Sequence, residues 1–391
     1  MSKLNDLIAE LCPNGVEQKH LWEVTIWNKR FNAVNKIKQP KILSYPNILA
    51  SELFSLECPN GNVCLLSAGE YIGWTTEDLA GDNLCEGEII AIPYTVFAKS
   101  GQAATIKNTI KYYNGKFVTS ENNIVTSFDT TVLLNKYLYY WLINCADMIY
   151  TLYNGPRIKH PNMNHILDLK IPLPPLPIQE YIVDILDNFT MLISDINAEI
   201  NLRRQQYNYY RNILFTFDEN ISWYNLSEIL KIKYGKDYST FNTGNIPVYG
   251  SGGIIAYIDT FIYDKPSVLI PRKGSVDNLF YVETPFWTID TIFYTEIFTH
   301  KAIPKYVYYW LQKEHLEQYN IAGGIPSLTQ PMLNKIKIPL PSLDEQQRIV
   351  DILDCFDILC NDSNIGISAE IEARQQQYEY YRDRLLSFNK I

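Results

Sequence analysis

The sequence predicts an α+β chain. It should hold two globular mixed α/β modules separated by two long antiparallel coiled-coil helices, with an internal pseudo-twofold repeat. Three observations carry this. Residues 171–217 open with a proline-stiffened leader (IPLPPLP), continue with apolar residues every three or four positions and end in a tyrosine-rich tail. Residues 338–388 repeat that text: IPLPSLDEQQRIVDILDCF, a short variable piece, then AEIEARQQQYEYYRDRLLSF. Finally, 391 residues with 47% hydrophobic content exceed what one core usually organises, and a turn-punctuated segment precedes each helical copy.

Taken in order, residues 1–20 begin as a short helix through Leu4, Leu7, Ile8 and Leu11, stopped by Cys12, Pro13, Asn14 and Gly15. A mixed segment runs to about Asp168, with a β-type run over 87–98 and a helix-like stretch over 135–149. The Asn154-Gly155-Pro156 turn leads towards the first long helix. After residue 217 the pattern restarts, with 223–230 (WYNLSEIL) opening the second segment much as 21–24 (LWEV) opens the first. A turn-rich 249–253 (YGSGG), a strand and loop over 268–275 (VLIPRKGS) and a run over 286–294 (FWTIDTIFY) follow. Residues 304–311 (PKYVYYWL) echo 135–142 (NKYLYYWL) at an offset of 169.

The apolar seam of the first helix is Ile178, Ile182, Ile185, Phe189, Ile193, Ile196, Ile200, Arg203, Tyr207, Tyr210, Leu214 and Phe217. From Phe189 onward this is a heptad a/d pattern, and roughly 40 residues would make a rod of about 60 Å. The second helix repeats the seam from Ile349 through Phe356 and Tyr381 to Phe388. So long and narrow a seam favours pairing of the helices over packing on a globular body. The offset between copies shifts from 167 to 171 between Cys360 and Ile367, so 361–366 (NDSNIG) reads as a local break. Arg203 and Arg374 occupy matching seam positions and read as solvated, snorkelling arginines.

No apolar run is long enough to span a bilayer, and the first twelve residues lack an apolar signal core. Seven scattered cysteines without a CxxC pair read as reduced thiols of a cytoplasmic protein. The net charge of −9 is uneven. Residues 177–217 carry net −2 and residues 343–391 net −5, leaving −1 on each globular segment. The helices are therefore the acidic part, and the modules are free to present basic patches.

Catalytic motifs are missing. There is no Walker A sequence, no HExxH, no kinase set, and no Asn/Asp-Pro-Pro-Tyr of the kind that positions an amine for methyl transfer. His160 and His165 read as surface-loop residues, and Asp277 and Asp290 as ordinary turn acids. The expectation is a non-catalytic protein.

Binding chemistry is better represented. Lys29, Arg30, Lys36, Lys38 and Lys41 fall within thirteen residues, with Asn32 and Asn35 between them. Lys99, Ser100, Gln102, Lys107 and Lys111 form a second cluster, and Arg157 and Lys159 sit in the loop before the first helix. In the second module Lys231, Lys233 and Lys236 precede a turn; Arg272, Lys273 and Ser275 follow a β-type run; Ser327, Thr329 and Gln330 precede the helix. Lysine and arginine suit phosphates, while Arg, Lys, Asn and Gln suit base edges in the major groove.

The chain resembles the specificity (S) subunits of type I restriction–modification systems. The resemblance rests on the two IPLPxL leaders with their I/V-V-D-I-L-D-x-F helices, and on the paired tails RRQQYNYYRNILF and RQQQYEYYRDRLL. It rests also on the opening LNDLIAELCPNGVEQKHLWEV, and on VYGSGG, IPRKGS and FWTIDT. It implies target-recognition domains over 1–170 and 218–337, separated by spacer helices over 171–217 and 338–391. Each domain would read one half of a bipartite double-stranded DNA sequence, with the helices fixing the gap. It adds Ser251 to the expected contacts, beside Lys29, Arg30, Lys36, Lys99, Gln102, Arg157, Lys159, Lys236, Arg272, Lys273, Ser275, Ser327 and Thr329. It also implies two modification subunits that methylate adenine, and restriction subunits that translocate and cleave. S-adenosylmethionine, ATP and magnesium would reside in those partners, with none in this chain. The alternative reading is a coiled-coil protein scaffold without sequence-specific DNA binding.

Overall fold

The computed structural model describes residues 2–97, 106–319, 327–361 and 367–388. The chain divides into two compact units, Met1–Ser194 with Ala373–Ile391, and Asp195–Glu372. Among the described residues no helix is long and apolar enough to cross a membrane.

The first unit is built on a seven-stranded mixed sheet. Its order is Thr25–Trp27, Asn122–Ser127, Cys85–Pro93, Lys111–Ser120, Val63–Leu66 and Ile72–Thr75, with Asn47–Ile48 pairing in parallel onto Lys111–Ser120. The apolar run Ile89–Ile92 sits mid-sheet. Ile89 and Ala91 enter one cluster, Ile90 and Ile92 another, so both faces of this strand are buried. That is why it reads as a continuous apolar run without alternation.

The second unit uses different sheets. Leu230–Tyr234, Ile292–Ile297, Ser267–Pro271 and Phe280–Val282 form a four-stranded antiparallel sheet. Gly253–Ile258, Thr243–Gly250 and Trp287–Thr288 form a three-stranded one.

One frame occurs in both units. In the first, Glu17–His20 pairs antiparallel with Lys170–Leu173; in the second, Trp223–Asn225 pairs antiparallel with Lys337–Pro339. The helix Asn135–Asn144 of the first matches Pro304–Lys313 of the second. Tyr137 donates its hydroxyl to the Pro172 carbonyl at 2.9 Å, and Tyr306 donates to that of Pro339 at 2.8 Å. Gln179 is fully buried; its amide donates to the Val132 and Pro174 carbonyls and its oxygen accepts from the Leu134 N–H. Gln346 repeats this with Lys301, Pro341 and Ile303. Asp187 takes the Tyr140 hydroxyl and the Lys136 ammonium, while Asp354 takes those of Tyr309 and Lys305.

The helix Leu176–Leu214 contributes to both units. Within the first, Phe189 stacks on Tyr381 of the last helix, Ile367–Leu386, with centroids 5.4 Å apart. Within the second, Tyr210 stacks on Phe356 of Leu343–Asn361 at 5.3 Å. Early turns therefore meet the last helix and late turns the one before it, an antiparallel order. The expected seam was too narrow at the helix starts. Val183 and Leu186 are buried beside Ile178 and Ile182, and Val350 and Leu353 beside Ile349. There each helix packs on a globular core, which needs a broad apolar face; only from Phe189 on does a coiled-coil seam suffice. Arg203 is exposed and bound to Glu199 at 2.7 Å, as its solvated reading required. Of the suspected break over 361–366, Asn361 ends the helix Leu343–Asn361 and residues 362–366 lie outside the described residues.

Candidate nucleic-acid interface

In the first unit the loop after Trp27 is held by two amide side chains. The Asn28 oxygen accepts the Ile124 N–H at 3.0 Å. Gln39, buried, accepts the Phe31 N–H at 2.9 Å and donates to the Lys29 carbonyl at 3.0 Å. Lys29 is thereby presented from a fixed backbone. Its ammonium lies 4.0 Å from the centroid of the Tyr94 ring, and burial lowers its pKa. His160 packs edge-on against the same ring at 5.5 Å. These residues, with Leu49, Glu121 and Ile158, line an open groove of about 710 Å³.

Lys159 stands between the groove-lining Ile158 and His160 on one strand, so its side chain leaves the other face, with its ammonium 4.4 Å from the Tyr150 centroid. The turn that delivers it requires glycine. Gly155 has φ 141°, and a Cβ there would lie 2.1 Å from the Ile158 carbonyl oxygen. Arg157 is exposed just after this turn. Arg30 is exposed beside Lys29, and Lys36 is exposed in the short helix Lys36–Lys38. Lys99 and Gln102 lie outside the described residues.

Three lysines of the expected basic clusters are engaged within the unit. Lys38 pairs with Asp168 at 2.7 Å and Lys107 with Glu379 at 2.8 Å. Lys111 is buried and donates to the Ser67 and Tyr71 carbonyls; desolvation pushes its pKa down to about 8.

In the second unit loops distant in sequence converge on Arg272. Its backbone N–H donates to the Thr291 carbonyl at 2.8 Å, and its carbonyl accepts from the Leu328 N–H at 2.9 Å. Its guanidinium donates to the Asp290 carbonyl at 3.3 Å and lies 5.4 Å from the Tyr234 ring centroid. Lys273 forms a β-bridge with Ser327. The Ser251 N–H donates to the Thr291 hydroxyl at 3.4 Å, and the Ser251 carbonyl accepts from the Asn278 amide. Lys236 joins the group because Gly235 passes against the Thr288–Ile289 backbone. A Cβ on Gly235 would sit 2.1 Å from the Ile289 carbonyl oxygen, and Lys236 donates its N–H to the Thr288 carbonyl at 2.8 Å.

The structure thus gathers Lys236, Ser251, Arg272, Lys273 and Ser327. Ser275 and Thr329 are exposed on the adjoining loops. Lys233 pairs with Glu296 across the sheet at 3.6 Å, apart from that group.

Sequence reading missed the aromatic partners. Tyr94 and Tyr234 were two among 29 tyrosines, and nothing local marked them as platforms for a cation. His160 stands on the strand Ile158–Pro161, where a surface loop was expected. Glu121 was missed because a search for basic patches passes over a carboxylate.

Comparison with known proteins bears on these surfaces. The family described as type I restriction modification DNA specificity domain matches residues 52–202 and 219–373. The specificity subunit of the EcoR124I/EcoR124II type I restriction enzyme from Escherichia coli is 32% identical over 315 residues, spanning 71% of this chain and 77% of that protein. A crystal structure of the type I system S subunit from M. genitalium superposes with a TM-score of 0.61 at 17% identity, covering 95% of this chain and 97% of that one. A structure from a study of complex assembly and conformational transition in the type I system superposes at 0.53 and 15% identity, over 97% and 98% of the two chains. Two matches to the family, one along each copy of the repeat, account for the duplicated frame. The chain belongs to the type I restriction–modification DNA specificity family, the recognition subunits of these systems, which are neither their catalysts nor carriers of a cofactor.

Proposed function

We propose that the chain acts in the cytoplasm and gives a type I restriction–modification complex its DNA address, each unit reading one half of a bipartite double-stranded target. The observation that carries this is the convergence on Arg272 of loops from 234–236, 250–253, 288–291 and 327–329. A half-buried arginine fixed by its backbone and an aromatic ring is preorganised for bidentate contact with a guanine edge. Lys236, Lys273, Lys159 and Arg157 suit phosphates, which position the protein without reading sequence. In this reading the boundaries are 1–170 and 218–337 for recognition and 171–217 and 338–391 for the spacer. The acidic helices set the gap and dock two modification subunits. Those partners hold S-adenosylmethionine and methylate adenine, while restriction subunits use ATP and magnesium to translocate and cleave.

The test is competition binding of the chain with its modification subunits on a randomised duplex library. The reading expects enrichment of one bipartite sequence with a fixed gap. Equal binding to all duplexes would instead support a protein scaffold built on the helices.

A further inference from the structure

We propose that Glu121 is a specificity-determining residue of the first unit, accepting a hydrogen bond from the exocyclic amine of a cytosine or adenine in the target. The inference rests on the DNA-recognition reading above and adds to it a side chain and the kind of base it reads.

Glu121 is the single residue between the strands Lys111–Ser120 and Asn122–Ser127, and its φ is 53°. This is the left-handed region, which side-chain-bearing residues rarely adopt and which glycine adopts freely. A turn needing only geometry would be served better by glycine, and strain of this kind is concentrated at functional sites. The surroundings hold the glutamate there, since its carbonyl accepts the Tyr94 N–H at 2.9 Å.

The location gives the carboxylate its meaning. Glu121 lines the same groove as Lys29, Tyr94 and His160. It is exposed, and no described side chain pairs with it. On a surface facing phosphates an unpaired carboxylate opposes binding. It becomes useful opposite a donor, and the donors that base edges present in the major groove are the cytosine N4 and adenine N6 amines. Lys29, with its ammonium 4.0 Å from the Tyr94 centroid, offers the complementary donor for a guanine edge. Acceptor and donor on one groove can address both bases of one pair.

The experiment is methylome sequencing of a host expressing the chain with its modification subunits, for wild type, Glu121→Gln and Glu121→Gly, alongside the Tm of each purified complex. The expected result is a wild-type motif that specifies one base pair, at one position of one half-site, which the variants no longer specify. Both variants lose about tenfold in discrimination at that position, keep the other half-site unchanged, and Glu121→Gly keeps or raises the Tm. Unchanged motifs in both variants would overturn the inference. So would an equal loss of methylation at both half-sites with a lowered Tm, which would make Glu121 structural. A wild-type chain that gives no motif would overturn the functional reading and this inference with it.

Discussion

Gln179 in the first unit and Gln346 in the second make the same three hydrogen bonds to backbone, and Asp187 and Asp354 bind the same tyrosine–lysine pair. Away from these frames the units part. The first carries a seven-stranded mixed sheet with the groove of Lys29, Tyr94 and Glu121; the second carries two smaller sheets with loops gathered on Arg272. Two kinds of constraint act on the two copies. Buried polar groups must be satisfied in one geometry, so the frame is held nearly identical in both copies. Exposed loops carry no such requirement and can differ.

High pH should break both frames at once. Burial raises the pKa of Tyr137 and of Tyr306, Cys145 adding to the first and Glu345 to the second. An unfolded tyrosine titrates near 10, so above that the unfolded chain binds fewer protons than the folded one and stability falls as pH rises. Each of the two should cost about 1.4 kcal/mol per pH unit above about pH 10. Urea unfolding at pH 8, 10 and 11 checks this; a flat profile would mean that neither phenol is protected.

Gln179→Ala should break one frame only. It leaves two carbonyls and one N–H unpaired in the interior, at a cost of about 2–4 kcal/mol. Hydrogen exchange should lose protection near Val132, Leu134 and Pro174 while that near Ile303 persists. Arg272→Ala sharpens the comparison on the other side. It should weaken DNA binding by about 1–3 kcal/mol with the fold intact, measured by titration at fixed salt. Arg203→Ala, which removes an exposed ion pair on the helix, should shift stability by less than about 0.5 kcal/mol in thermal unfolding.

The duplicated helices, the modules between them and the matching helices 135–144 and 304–313 were legible because repeated text and apolar spacing are local signals. The sheet orders were not, since strand pairing joins residues as distant as Thr25 and Ser127. Val183 and Leu186 escaped because a heptad template looks for one seam, while the helix start serves a core as well. At the site, composition found Arg272, Lys273 and Lys236. Charge alone placed Lys111, which is buried, and Lys29, which reaches a groove, in basic clusters of the same kind. That distinction is set by burial and partners, which the residue type alone does not carry.

A common frame carrying two independent reading surfaces makes each half-site separately exchangeable. The most direct test replaces residues 218–337 with the corresponding segment of another specificity subunit and sequences the methylome of a host expressing the hybrid with the modification subunits. The expected motif is bipartite, with one half-site changed while the other half-site and the gap stay as in the parent. A motif altered in both halves, or altered in neither, would contradict it.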